Sequence, residues 1–361
     1  MLTIEEGMTL LPHTMQSLRI TSSEVTSGGL KKEGMSVFGI ITDQMYSSVG
    51  KSKILGWVRL PVTNRVTLTE RLDAVEYLLD PGKEHIISDL AQGLKAIKPM
   101  RAILKRMTDA KFKITDWSML QQTLSAIIQL NSVFRQHRSL AALPFFRAMT
   151  TTDSRELGAM LRAITDTIDF AEYKSSGYFS VKYGVSPDLD QHTQFYAGLS
   201  DFLSTVTREE MNVYTSIESL SAVYLPCHGF YVCLPLHVEQ LSYVSAQHAE
   251  IEWIFETPDY AYCKTPRMRE LDTEVGDIHG IIRDKSNTLA LKLSEFILEH
   301  SDTLLASIEC VAAVDCICGL ANIARERDWK RPVLVQDEGV LQIRNGRHPL
   351  GAVLHMFIFN H

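Results

Sequence analysis

The feature that most constrains this chain is a stretch without proline, from Arg267 to Arg331, in which apolar residues recur at helical spacing. The recurring positions are Leu271, Val275, Ile278, Ile282, Leu289, Leu293, Phe296 and Ile297. This spacing predicts a helix, and at about 1.5 Å per residue even half of the stretch would span about 50 Å. We expect a break at residues 301–303, because Ser, Asp and Thr are good N-caps and a new apolar pattern follows them.

The pattern therefore predicts two helices: a long lever helix that connects distant parts of the protein, and a core helix after the break. Periodicity alone also fits a coiled coil or an ordinary helix of a bundle. Each of these interpretations makes residues 267–331 mostly helical.

The composition is that of a globular protein that can bury two or more cores, with 361 residues of which 22% are charged. No apolar run reaches the roughly 18 residues that suggest a membrane span, and the N-terminus lacks a signal-peptide pattern, so we expect an intracellular protein. Six cysteines without a C-x-x-C pair, and histidines without metal-ligand spacing, predict reduced thiols and no metal site. The net charge of −7 argues against uniform coating of DNA, but it allows a local basic track.

A second helical region, from Ile86 to Ile128, contains the most basic part of the chain. Its cations are Lys95, Lys98, Arg101, Lys105, Arg106, Lys111 and Lys113, offset only by Asp109. A charged helix face is most often solvated surface, and that interpretation stays open. If the protein holds DNA, phosphates could follow this track.

The triplet Gly50-Lys51-Ser52 matches the end of the phosphate-binding-loop motif, but the residues that precede it do not. Such a loop needs a glycine five residues earlier, so that backbone N–H groups wrap the phosphates, and a buried strand before it. Met45 stands at that position, and residues 43–48 are not an apolar strand. We interpret the triplet as a helix start, with Lys51 and Lys53 solvated.

In the middle of the chain the sequence pattern changes between helical and extended segments. Residues 173–183 are predicted to be extended, and Pro187 is predicted to open a helix, because proline suits the first turn and Asp188 and Asp190 complement a helix N-terminus. Strands are then predicted at 221–226, 229–235, 252–256 and 260–262, with turns at 227–229 and 257–259. Their aromatic residues favour an antiparallel sheet.

The predicted sheet region is acidic, since no lysine or arginine occurs from Glu209 to Cys263. Positive charge near the sheet could come only from three histidines or from four flanking cations. These residues are His228, His237, His248, Arg208, Lys264, Arg267 and Arg269. Because phosphates repel the carboxylates, the sheet would surround DNA without gripping it, or leave the gripping to a partner subunit.

Several separate passages carry a family resemblance. They are Tyr183-Gly-Val-Ser-Pro-Asp-Leu-Asp190, Thr265-Pro-Arg-Met-Arg-Glu-Leu-Asp272, Ala324-Arg-Glu-Arg-Asp-Trp-Lys-Arg-Pro332 and Ile343-Arg-Asn-Gly-Arg-His-Pro-Leu350. Together with the helical residues 50–79, and in this order, they resemble the MutS family of DNA mismatch and recombination proteins, in particular its meiotic members. The resemblance covers roughly residues 8–350. It implies a mostly α fold with a small antiparallel β insertion (α+β).

The resemblance also implies a division into four parts. Residues 1–30 would be the remnant of a connector region, with a strand and a turn ahead of Gly28-Gly29. Residues 31–187 and 265–350 would form a helical core with its lever. Residues 188–264 would form an inserted clamp of a helix and an antiparallel sheet, and residues 351–361 a divergent tail.

The function that the resemblance implies is to embrace duplex or branched DNA in meiotic crossover formation, on meiotic chromosomes in the nucleus. The partner would be a second meiotic MutS homolog, in a heterodimer. Candidate DNA contacts are the seven cations of residues 95–113 and the four cations that flank the sheet. The mismatch-reading N-terminal domain has no counterpart, so mismatch reading is not expected.

In the family, the passage at Arg347-His-Pro-Leu350 opens an ATPase domain. Residues 351–361 do not resemble its continuation, and no phosphate-binding loop occurs, so we expect a chain without the ATPase and without enzymatic activity. ATP and magnesium are implied only for a full-length family member. For this chain we expect no catalytic residue, no cofactor and no metal.

Two alternatives remain. One is a protein-interaction scaffold whose acidic sheet binds a basic partner and never touches DNA; salt-sensitive DNA affinity that is lost when Lys105 and Arg106 are neutralised would argue against it. The other is a mismatch-repair paralog, which would raise the mutation rate on gene loss where a crossover factor would abolish crossovers.

Overall fold

The computed structural model describes residues 7–21, 36–151, 154–235, 248–335 and 339–350, without the side chains of residues 150 and 151. The chain divides into two compact units: unit 1 comprises residues 1–164 and 295–361, and unit 2 comprises residues 165–294. The described residues are mostly α-helical with one four-stranded antiparallel sheet, so the predicted fold class is confirmed. The predicted domain boundaries at residues 187 and 264 stay predictions.

Unit 1 is built from helices. They are α1 (Pro12–Ser17), α2 (Val37–Thr42), α3 (Ser48–Arg59), α4 (Arg65–Leu79), α5 (Glu84–Ala96), α6 (Arg101–Thr108), α7 (Ile114–Gln136), α8 (Arg138–Ala141), a 3-10 turn (Pro144–Phe146), α9 (Arg147–Thr151), α10 (Ser154–Thr167), which continues into unit 2, and α16 (Ser301–Arg327). The centre of the unit is α16, which contacts α2, α3, α4, α5, α7 and α9. It buries apolar side chains on every side, among them Leu304, Val311, Ile317 and Ile323.

The contact between α16 and the start of α3 is polar and buried. Asp315, which is 0% exposed, accepts hydrogen bonds from Tyr46 N–H at 3.0 Å, Ser47 N–H at 2.8 Å and the Ser47 hydroxyl at 2.6 Å. Ser47 in turn caps α3, because its Oγ accepts from Gly50 N–H at 3.0 Å. The predicted helix start at Gly50-Lys51-Ser52 is thus confirmed. Of the two lysines predicted to be solvated, Lys51 is exposed, whereas Lys53 is half-buried and forms an ion pair with Glu309.

Helix α16 is long and apolar enough to cross a membrane, with a mean hydropathy of 2.0 in its most apolar window. The expectation that no segment meets this criterion was therefore wrong. Of that window, 67% is buried inside the protein. A core helix that neighbours cover on all sides is apolar all round for that reason, so the criterion is weak evidence for a membrane span here.

Unit 2 combines helices with the sheet. Its helices are α11 (Phe170–Ser176), α12 (Pro187–Ala197), α13 (Leu199–Val213), α14 (Pro266–Glu274) and α15 (Ile278–Glu299), which continues into unit 1. Its strands are β1 (Ser221–Leu225), β2 (Gly229–Pro235), β3 (Glu252–Glu256) and β4 (Tyr260–Lys264), in the order β1-β2-β4-β3, all antiparallel. The predicted strands and the helix start at Pro187 are confirmed. One face of the sheet packs Phe230, Val232 and Cys263 against Val206 of α13 and Met268 of α14.

The predicted pair of C-terminal helices is in fact three helices. Gly276 has φ +68°, a left-handed conformation that glycine adopts without strain, and it separates α14 from α15. The predicted break near residue 301 is confirmed, although the residue at the N-cap is His300 and α16 begins at Ser301.

Two further local predictions were wrong. Residues 170–176 are helical, although 173–183 were predicted to be extended, because Asp169 caps α11 by accepting from Ala171 N–H and Glu172 N–H at 3.0 Å each. Residues 12–17 form the short helix α1, although a strand and a turn were predicted there, since Pro12 opens a helical turn. Gly28 and Gly29 lie outside the described residues. All six cysteines are free thiols, and Cys233, Cys263, Cys316 and Cys318 are buried, as predicted.

Asp315→Asn is expected to destabilise the protein by about 1–3 kcal/mol, because in either orientation of the amide one backbone N–H of Tyr46 or Ser47 would face an NH2 group and lose its acceptor. The free energy of unfolding from urea titration measures this. Asp302→Asn, at an exposed position of the same helix, is the matched control and should cost less than about 1 kcal/mol. Equal losses in the two variants would show that the Asp315 hydrogen bonds do not stabilise unit 1.

Gly50→Ala is expected to destabilise the protein although alanine is a better helix former by up to about 1 kcal/mol. The added Cβ would lie 2.1 Å from Oδ2 of Asp315, so the carboxylate would have to leave its three donors. Gly56→Ala, in the same helix with no atom within 4 Å of the added Cβ, should be neutral or stabilising. Urea midpoints of the two variants test this, and a Gly50→Ala protein as stable as Gly56→Ala would contradict it.

Candidate nucleic-acid interface

The seven cations predicted as a track lie along one continuous part of unit 1, from the last turn of α5 through α6 to the start of α7. Helix α6 buries the side chains of Ile103, Leu104 and Met107 in the core. Arg101 and Lys105, one turn apart, are exposed. The two positions therefore share a solvated face of α6.

Arg106 differs from its neighbours, because it is held by a carboxylate. Its guanidinium binds Asp116 in a bidentate manner: Nε lies 2.9 Å from Oδ2, and Nη2 donates to Oδ1. The Asp116 side chain is only 3% exposed, and its Oδ2 also accepts from Lys113 N–H at 2.9 Å. Arg106 therefore stabilises the connection between α6 and α7, and its neutralisation would not report cleanly on DNA contact.

The other six cations of the track form no ion pair with a carboxylate among the described residues. Five are exposed, and Lys98 is half-buried; the ammonium of Lys95 lies 5.8 Å from the centroid of the Tyr46 ring. They are Lys95, Lys98, Arg101, Lys105, Lys111 and Lys113. Cations whose charge is not already neutralised are the ones that can release counterions on binding phosphate.

Arg101 also lines an open groove of about 1150 Å³ in unit 1. The same groove is lined by Lys53, Arg71 and the aromatic rings of Trp57 and Phe145. The Arg71 guanidinium stacks on Trp57 at 3.8 Å from the ring centroid. The concave surface beside Arg101 thus carries aromatic rings and charges of both signs, because Glu70 and Glu309 line it as well and Glu309 neutralises Lys53.

Three of the four cations predicted to flank the sheet are paired within unit 2. Lys264 binds Asp272 and lies 4.3 Å from the centroid of the Tyr231 ring. Arg267 contacts Glu270 at 3.0 Å and Glu274 at 3.7 Å, and Arg269 contacts Glu252 at 3.0 Å. Only Arg208 is exposed on α13 without a carboxylate partner in the described part of the chain.

The three histidines that could add positive charge to the sheet differ in their surroundings. His248 accepts or donates a hydrogen bond with the Ser216 hydroxyl at 2.8 Å and lies 3.4 Å from Glu250. His228 is exposed in the turn between β1 and β2, and His237 lies outside the described residues. The sheet region therefore keeps the acidic character that its sequence predicts.

Asp188 and Asp190 lie in the first turn of α12, as predicted. Asp190 accepts from Gly184 N–H at 2.9 Å, and Asp188 binds Lys285 of α15. Sequence reasoning missed a further carboxylate contact, in which half-buried Asp277 accepts from the Tyr224 hydroxyl and from Cys227 N–H at 3.3 Å. No group of three metal-ligating side chains occurs in the described ranges.

The pKa of Asp116 lies below its usual value: burial alone would raise it, but hydrogen bonds from Arg106 and from Lys113 N–H lower it more. The folded state therefore keeps this carboxylate charged to lower pH than the unfolded state, whose pKa is about 3.9. Its contribution to stability is fully present above that pH and is lost as the pH falls through the lowered pKa.

Arg106→Gln removes the main cause of that lowering and leaves a buried carboxylate. We expect the urea midpoint to fall at pH 7, and the difference from the unmodified chain to shrink between pH 7 and pH 3, because without Arg106 the buried carboxylate takes up a proton at higher pH. Lys105→Gln, at the adjacent exposed cation, should leave the midpoint unchanged at both pH values. A deficit of Arg106→Gln that is constant across this range would refute the coupling to Asp116.

Comparison with known proteins agrees with this architecture. A family model described as MutS domain III matches residues 13–321. The chain is 27% identical to MutS protein homolog 5 of Saccharomyces cerevisiae over 366 residues, covering 96% of this chain and 40% of the relative. It is 22% identical to MutS protein homolog 5 of Caenorhabditis elegans, covering 95% of this chain and 24% of the relative. It is 24% identical to the DNA mismatch repair protein MutS of Halothermothrix orenii, covering 96% of this chain and 37% of the relative. The chain thus spans two fifths or less of the length of these relatives.

Proposed function

The chain belongs to the MutS family and carries its domain III, and from that premise we propose that it is a DNA-binding lever and clamp protein that embraces duplex or branched DNA in meiotic crossover formation. Two relatives named MutS protein homolog 5, each matched over nearly the whole of this chain, support the meiotic assignment. The observation that carries DNA binding is the row of six cations in unit 1 without carboxylate partners in the described residues.

The proposed role is that of one half of a heterodimer with a second meiotic MutS homolog, on meiotic chromosomes in the nucleus. In this role the chain itself performs no chemistry and uses no cofactor. ATP and magnesium, implied for a full-length family member, have no part in the contact that the basic track makes with phosphates.

The paired state of the cations divides the proposed contacts into two classes. Six cations form no ion pair among the described residues and can bind phosphates. They are Lys95, Lys98, Arg101, Lys105, Lys111 and Lys113. Arg106, Lys264, Arg267 and Arg269 already neutralise carboxylates, and binding a phosphate would require them to leave those partners. The six unpaired cations are therefore the proposed grip on DNA, and the acidic sheet region of unit 2 is proposed to surround DNA without gripping it.

The double variant Arg101→Gln, Lys105→Gln is expected to weaken binding to duplex DNA and to lower the slope of log affinity against log salt by up to about 2, roughly one for each phosphate contact. Fluorescence anisotropy with labelled duplex and four-way-junction DNA at several salt concentrations measures both quantities. The same loss on both DNA forms is expected, because backbone phosphates are common to them.

The matched control is Lys174→Gln, Lys292→Gln, which removes two exposed, unpaired cations outside the track. This control should leave the salt slope unchanged. An unchanged slope in the Arg101, Lys105 variant, or an equal change in the control, would refute the track as the DNA grip.

The match to the bacterial protein named DNA mismatch repair protein MutS favours a second candidate, a mismatch-repair paralog. Loss of the gene separates the two candidates. Abolished crossovers with an unchanged mutation rate are expected under the meiotic proposal, whereas a raised mutation rate with normal crossovers would favour mismatch repair.

A further inference from the structure

Strand β3 is an outer strand of the unit 2 sheet. Its only strand partner in the described part of the chain is β4, which it meets at Glu252↔Lys264, Trp253↔Cys263, Phe255↔Tyr262 and Glu256↔Ala261. Within the described residues, none of its five residues forms a main-chain hydrogen bond on the outward side. The outward N–H and C=O groups of β3 therefore have no main-chain partner in that part of the chain, and another extended chain could pair with them.

The side chains of this edge are apolar where solvent would favour polar groups. Ile254 is 43% exposed and Phe255 is 40% exposed, and Tyr260 across the hairpin is 45% exposed. Phe255 stacks on Tyr262 at 4.5 Å and contacts Tyr231 at 5.8 Å, so the aromatic side chains form a fixed surface. The register shifts between Trp253 and Phe255, which leaves Ile254 as an extra residue without a partner on β4.

The edge carries some of the features that keep an outer strand from pairing, namely the bulge at Ile254 and a glutamate at each end, but it lacks others. Native edges carry lysine or proline, or are covered by another element. Here the strand has neither residue, and its two ends are Glu252 and Glu256, with Asp259 exposed in the following turn. Arg269 neutralises Glu252, whereas Glu256 and Asp259 have no basic partner in the described residues. The free edge is thus apolar in the middle and negative at one end.

From this edge we infer a docking site for an extended segment of another protein that alternates apolar and basic side chains and adds a strand to β3. Main-chain hydrogen bonds would supply affinity, and contacts with Ile254 and Glu256 would supply selectivity. Duplex DNA does not fit, because the carboxylates repel its phosphates. A second copy does not fit either, because antiparallel pairing of two β3 strands would set Glu252 opposite Glu256 of the other copy.

This inference does not depend on DNA binding by unit 1. The unit 1 cations and the β3 edge are separate sets of residues, so a variant of one set leaves the other unchanged. The protein would accordingly hold DNA and a protein partner through different chemistry.

The test uses the whole chain and a labelled synthetic peptide of alternating lysine and valine, followed by fluorescence anisotropy. The unmodified chain should bind this peptide, and the binding should weaken as salt is added. Ile254→Lys should weaken it about tenfold, because a cation then faces the basic strand. Glu256→Gln should weaken it less and reduce its salt dependence.

Leu291→Lys on α15 is the matched control, since Leu291 is 41% exposed and the substitution adds the same charge. It should bind the peptide as the unmodified chain does. Thermal melts of all variants confirm that they are folded, and Glu256→Gln keeps the test valid if Ile254→Lys does not fold.

Four results would overturn the inference: no binding of the lysine–valine peptide, equal binding of a glutamate–valine peptide, equal weakening by Leu291→Lys, and unchanged binding by both edge variants. Self-association of the unmodified chain in sedimentation, abolished by Ile254→Lys, would assign the edge to a second copy. A loss of duplex DNA affinity in Ile254→Lys that exceeds the loss in Leu291→Lys would assign it to nucleic acid.

Discussion

The architecture of unit 1 depends on a carboxylate buried in an apolar helix. Asp315 lies in the middle of α16 with no exposed surface, where an unpaired charge would be costly. Burial raises the pKa of this carboxyl group, and hydrogen bonds from Ser47 and Tyr46 oppose that rise. The contact places the start of α3 against the centre of the core and fixes its orientation, which apolar packing alone would leave adjustable. Gly50 permits the close approach, because any larger residue would displace the carboxylate.

The elements that sequence predicted well are those whose signal is local. Short runs rich in aromatic residues and bounded by turns located the four strands, and Pro187 located the start of α12, because turn and capping chemistry act over a few residues. The failures have an equally physical cause. Gly276 ends a helix through a left-handed conformation that apolar spacing does not reveal, and Asp169 starts α11 within a segment whose aromatic residues suggest a strand. The apolar pattern predicted α16 as a core helix, but its burial on all sides is a tertiary property that the pattern does not show.

In the candidate site, too, sequence-based prediction is limited, because it does not show which charges are paired. A count of lysine and arginine treats Lys105 and Arg106 as equivalent, yet one is exposed and the other holds a carboxylate that is only 3% exposed. Nothing in the sequence marks Asp116 as the partner of Arg106, because a solvated acid and a buried acid have the same letter. Sequence could therefore locate the basic stretch, whereas the structure was needed to tell which of its charges remain available to a phosphate.

Pairing, rather than the number of charges, gives the two units different binding properties. Near the sheet of unit 2, Lys264, Arg267 and Arg269 neutralise carboxylates, so the unpaired charges left on the β3 and β4 hairpin are those of Glu256 and Asp259. In the basic stretch of unit 1 one cation is neutralised and six are not. A net charge of −7 thus describes neither surface. A chain built in this way can attract phosphates at one set of residues and repel them at another, so the proposed basic partner would not compete with DNA for the second set.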